Sequence, residues 1–202
     1  MIATILAAVF FGSLAVVAMQ VSRAFCADIA PADDGPPPGT PPYAPLALGC
    51  AMIGALLVAG GAAPVELGIA AIVEFALVAC WCSDAICGIV PDVFTLAPLT
   101  ALLVFSLAER NWGVVISALI AFTPFAAAAL VSRGYGMGWG DAKLVALCGA
   151  ALGAPLAVFT LALACAAAVV LHRLRGAARG PIAFAPYIAA AAGIALPLGL
   201  AH

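Results

Sequence analysis

Only nine carboxylates occur in the 202 residues, and three stand where they could do chemistry. Gly138-Trp139-Gly140-Asp141 reads G-x-G-D, a flexible turn that delivers a carboxylate to the foot of the next apolar segment. Upstream, Asp84 and Asp92 bracket a second polar spot, Asp84-Ala85-Ile86-Cys87-Gly88-Ile89-Val90-Pro91-Asp92. Two carboxylates held close together cannot both ionise easily, so one keeps a proton while the other acts as a base toward water. Hydrolysis of a peptide bond needs that pairing of base and acid. Glycines around Asp141 would let an extended substrate backbone come close. The plainer structural role is a cap, with Asp141 at the N-cap of a helix starting at Ala142 and Asp84 or Asp92 capping at the interface.

The elements that must position these groups are membrane helices. The chain is 67% hydrophobic and 8% charged, with a mean hydropathy of +1.26. A soluble domain of this length could not cover that much apolar surface, so the solvent is lipid. A net charge of -2 gives no reason to expect nucleic acid as a partner. The whole of 1–202 reads as one all-α, polytopic membrane domain.

In chain order the expected spans are Met1 to Val21, Pro45 to Ala63, Val65 to Ser83, Val93 to Ala108 and Gly113 to Ser132. The apolar run from Ala142 to Leu171 is too long for one span. Gly153-Ala154-Pro155 offers a break, giving a short sixth helix and a seventh from Leu156. Ala183 to Ala201 makes the eighth. Residues 24–44 are proline-rich and read as an extended loop. Pro124 marks a kink. Glu74 falls close to mid-membrane, where a carboxylate needs a partner or a wet cavity.

Charge placement agrees with eight spans. Arg23, Arg133, Lys143, Arg173, Arg175 and Arg179 fall on one face, and Arg110 on the other. The positive-inside rule makes the first face cytoplasmic and both termini non-cytoplasmic. Asp84, Asp92 and Asp141 then lie together at the cytoplasmic face. The seven cysteines include no C-x-x-C pair, so no zinc tetrad is expected, and they read as small apolar packing groups.

The extended motifs resemble the type IV prepilin peptidases, membrane aspartyl proteases of the G-x-G-D class. Asp84, then Val90-Pro91-Asp92 and the start of a Leu/Thr-rich helix, is similar to the family's first motif. Gly136-Met137-Gly138-Trp139-Gly140-Asp141-Ala142-Lys143-Leu144, with Ala146 and the glycines that follow, is similar to the second almost letter for letter. Phe184-Ala185-Pro186-Tyr187 resembles the start of the family's last helix, and Phe11-Gly12-Ser13-Leu14 through Arg23 its first. The resemblance implies Asp84 and Asp141 as the catalytic pair. Asp92, Gly136, Gly138, Gly140 and Lys143 are implied as support or substrate-approach positions.

It further implies a prepilin or pseudopilin as substrate, its short basic leader cut at the cytoplasmic face of the bacterial inner membrane, with neither metal nor other cofactor. Asp28, Asp33 and Asp34 could attract such a leader, although a solvated loop explains them better. Where many members carry a C-x-x-C insert associated with N-methylation, this chain has the 24–44 loop and Cys26 alone. The missing insert points to a peptidase without that second activity, and a bifunctional peptidase and N-methyltransferase is the alternative. A more distant one is a small ion or proton transporter using the same carboxylates.

Overall fold

The computed structural model describes residues 1–29, 43–133, 137–174 and 183–199. Gly136, Arg175, Arg179, Asp33, Asp34 and most of the proline-rich segment lie outside the described residues. Eight α-helices, and no strand, make up the described residues: α1 (Ile2–Ile29), α2 (Tyr43–Ala59), α3 (Pro64–Cys87), α4 (Asp92–Ala108), α5 (Trp112–Val131), α6 (Trp139–Leu152), α7 (Ala154–Leu174) and α8 (Ala185–Gly199). α1, α3, α5 and α7 are each long and apolar enough to cross a membrane, while α2, α4 and α8 are shorter apolar helices.

Local sequence sets the boundaries. Pro64 begins α3 at the first-turn position where a missing N–H costs nothing, and the Ala63 N–H is taken up by Glu66 Oε2 at 2.6 Å. Gly88 ends the same helix in the left-handed conformation. The Asn111 side chain accepts from Gly113 N–H at 3.2 Å to start α5. Between α6 and α7, Gly153 takes φ 75°, a conformation that glycine adopts without strain. The expected break in the long apolar run is therefore real. Pro124 sits inside α5, which continues through it.

Several boundaries differ from the sequence expectation, α2 ending at Ala59 rather than Ala63 among them, and three bear on how the helices meet. α1 does not stop at Ser22-Arg23 but runs on to Ile29, so part of the expected 24–44 loop is helix. Ser22 is the reason: its hydroxyl is buried and donates to the Ala79 carbonyl of α3 at 2.8 Å, so a polar residue that looked like a terminus is an interhelical contact. Arg23 lies 4.8 Å from the centroid of the Tyr43 ring, tying the end of α1 to the start of α2. Asp84 is not in a loop but in the last turn of α3, and the loop proper is 88–91. α6 begins at Trp139 rather than Ala142, with Gly138 at its N-cap, so Asp141 is a first-turn residue and not the cap.

The core is built around α6. Ala142 and every residue from Leu144 to Leu152 are buried, and α3, α4, α5, α7 and α8 all pack against it. In lipid, helices gain little from hiding apolar surface from one another, so close packing of small side chains must hold them. Gly149 shows how: a Cβ there would lie 2.6 Å from both the Ser117 carbonyl oxygen and the Ala121 Cβ of α5. The outward residues of the surrounding helices stay apolar, among them Leu6 and Val9 of α1, Ile116 and Leu119 of α5, and Phe159 of α7. That outward-facing apolar belt suits a hydrocarbon solvent.

Interhelical contacts fix which helix ends meet. The C-terminal ends of α1 and α3 come together at Cys26 and Cys87. The starts of α4 and α6 are joined by Lys143 and Asp92, and the start of α8 is bonded to the end of α3. At the other end, Ala154 N–H donates to Ser117 Oγ at 3.0 Å, and Gly199 packs on Leu152. The chain thus runs up and down through the bundle, and both aspartate motifs end on one face.

Candidate active site

Asp84 occupies the last turn of α3, buried at 9% exposure. Its Oδ2 accepts the backbone N–H of Ala185 at 3.1 Å. Ala185 is the first residue of α8, whose opening N–H groups have no partner within the helix. Pro186 follows in the first turn, where proline is tolerated. The carboxylate of one helix thus caps another, and the partial positive charge of the α8 start faces Asp84. Asp84 is in this sense a cap, as the plainer structural role required, yet its second oxygen is left over for other work.

Asp141 sits at the third residue of α6, where an acidic side chain can turn back toward the N-cap. Its Oδ2 does so, lying so close that a Cβ on Gly138 would be 3.2 Å from it. Its Oδ1 is buried and has no hydrogen-bond partner. The Asp84 carboxyl is near enough for its charge to act on Asp141, and both bear on Cys80 of α3 beneath them. A buried carboxyl oxygen without a partner is costly in a finished structural site and ordinary in one awaiting water or substrate.

Two contacts lock the motifs together. Gly140 packs on the loop after α3 so tightly that a Cβ would fall 2.7 Å from Val90 Cβ and 2.9 Å from the Val90 carbonyl oxygen. Lys143 Nζ bonds Asp92 Oδ1 at 2.6 Å. Asp92, in the first turn of α4, is the more exposed of that pair at 61%, against 26% for Lys143. Its charge is therefore paired and wet, unlike the charges of Asp84 and Asp141.

Asp84, Asp92, Gly138, Gly140, Asp141 and Lys143 therefore gather at one end of the bundle, and Gly136 lies outside the described residues. Reading the sequence missed Ala185 as the partner of Asp84, although Phe184-Ala185-Pro186-Tyr187 had stood out as a helix start. It also missed the Asp92–Lys143 pair, for which opposite charge in both motifs was the available signal. Among the described residues no three or more of His, Cys, Asp and Glu group as a metal site would require.

No curated protein and no solved structure matches the chain. Residues 70–172, a little over half of the sequence and including both aspartate motifs, match the model of the Type IV leader peptidase family. A chain with these two motifs locked together at one end of a helical bundle, and with that match, belongs to the type IV leader peptidase family and is a peptidase.

Proposed function

We propose that Asp84 and Asp141 form the catalytic pair of an intramembrane aspartyl endopeptidase. It removes the short basic leader of a type IV prepilin-like protein at the cytoplasmic face of the bacterial inner membrane. The observation that carries the reading is the Asp141 Oδ1, buried without a partner and within the field of a second buried carboxyl, Asp84. Asp92 is the less suitable partner, because Lys143 holds it in an exposed ion pair.

The chemistry follows from two carboxyls sharing one proton. The ionised carboxylate takes a proton from a water as its oxygen bonds to the scissile carbonyl carbon. The protonated carboxyl hydrogen-bonds the carbonyl oxygen and gives up its proton as a tetrahedral diol forms. Proton transfer to the amide nitrogen then lets the C–N bond break, releasing the leader's new carboxylate and the mature chain's new amine. Gly138, which carries no side chain over the Asp141 carboxyl, leaves room for an extended substrate backbone, while Gly140 seats the 88–91 loop against α6. The gathering of Arg23, Arg133 and Lys143 at the ends nearest the two aspartates supports a cytoplasmic site.

The test is leader removal from a prepilin substrate by membranes containing wild type, Asp84→Asn or Asp141→Asn, read by mass spectrometry. Each variant should insert normally and lose at least about a hundredfold in rate, the scale of a general acid or base. Normal processing by either variant would rule out the pair.

A further inference from the structure

A second carboxyl in the bundle is unexplained by this chemistry. Glu74, near the middle of α3, is 3% exposed, and neither of its carboxyl oxygens has a hydrogen-bond partner. The Cys50 thiol of α2 lies beside it. Both line a cavity of about 380 Å³ between α2, α3 and α8 whose other walls are nearly all apolar. A carboxyl at such a depth with only a weak thiol donor beside it is expensive and marks a site that something else completes.

The cavity's position indicates what completes it. Trp81, less than a turn before Asp84 on α3, lines its upper part, and the α8 wall starts about one turn beyond Ala185, the residue that bonds Asp84. The cavity thus lies along the α3–α8 seam, its near end within a turn of Asp84 at Trp81, and Glu74 stands ten residues, about 15 Å, from Asp84 along α3. Its walls include Gly49, Ala190 and Gly193. A Cβ at Gly49 would meet nothing within 4 Å. Small wall residues with open space before them are what a second helix needs to approach closely in lipid.

We infer that this cavity receives one face of the apolar helix that follows the leader in the substrate, and that Glu74 bonds a polar side chain about 15 Å beyond the cut, a distance of about ten residues of helix and fewer where the chain is extended. The inference rests on the proposed peptidase reading for the identity of the occupant. The aspartates would fix where the chain is cut, and Glu74 would fix how far into the bilayer its helix is seated. An apolar segment with no hydrogen-bonding side chain at that depth would leave Glu74 unpaired and bind more weakly.

The experiment uses the full-length chain in nanodiscs with a substrate that keeps its apolar helix. Glu74→Leu removes the bonding group, and Gly49→Leu fills the cavity from an open wall. Each should raise KM about tenfold, the scale of one lost buried hydrogen bond or displaced contact, with kcat within about twofold. In parallel, a photo-crosslinking residue placed at Gly49 should label the substrate's apolar segment and not its leader. Unchanged KM in both variants, with no label on the apolar segment, would overturn the docking while leaving the peptidase reading intact. An equal fall in kcat without any label would make Glu74 a structural residue and overturn it too. Absence of cleavage by wild type, with the label present, would instead remove the catalytic pair and keep the docking.

Discussion

Gly140 shows how much of the site hangs on single atoms. It has no Cβ because the Val90 carbonyl oxygen and side chain occupy that space. Gly140→Ala must push the 88–91 loop away from α6, and with it the end of α3 that carries Asp84. Overpacking of this kind costs about 1–3 kcal/mol. We expect a lower thermal midpoint in detergent, and a fall in cleavage larger than the fall in folded protein. Asp92 and Lys143 should behave differently. Their exposed ion pair is worth at most about 1 kcal/mol, so Asp92→Asn should reduce cleavage several-fold at most. A double-mutant cycle with Lys143→Met should show that the two effects are not additive. If Asp92→Asn alone abolished cleavage, Asp92 and not Asp84 would be the partner of Asp141.

At the scale of elements, the helices were legible from apolar runs punctuated by Pro, Gly and charge, because lipid-facing helices must be apolar nearly throughout. Gly153 marked the α6–α7 break correctly, since a lone glycine followed by Ala-Pro is a local signal. The extension of α1 past Ser22 was not legible, because the acceptor that makes Ser22 an internal residue is Ala79, on another helix. The same holds for the site. Both motifs were visible as motifs, yet Ala185 is 101 positions from the carboxylate that caps it, and nothing local reports such a bond. The meeting of α1 and α3 can be checked directly. Cys26 and Cys87 are free thiols with sulfurs 2.7 Å apart. Copper phenanthroline, an external oxidant, should take two electrons from them as two protons leave and one disulfide forms. Peptide mapping should find Cys26 linked to Cys87, and Cys26→Ser should abolish the link.

For the molecule as a whole, the consequence lies in α6. Its fourteen residues rise roughly 21 Å, against a hydrocarbon thickness of roughly 30 Å. The shortfall falls at the end away from the aspartates, because Ser117, more than a turn inside α5, already bonds the start of α7. A pit of about 470 Å³ opens there, lined in part by Glu66, Ser106, Glu109 and Asn111. Water can enter the pit from one side and the peptidase face from the other, so at this point the permeability barrier of the membrane is α6 itself. The unbroken burial of Leu144 to Leu152 is then a seal as well as a core. A charge introduced at the pit floor, Ala150→Asp, should do more than loosen packing. Proteoliposomes carrying it should dissipate an imposed proton gradient faster than those with wild type, which must hold water on both sides of a wall one short helix thick.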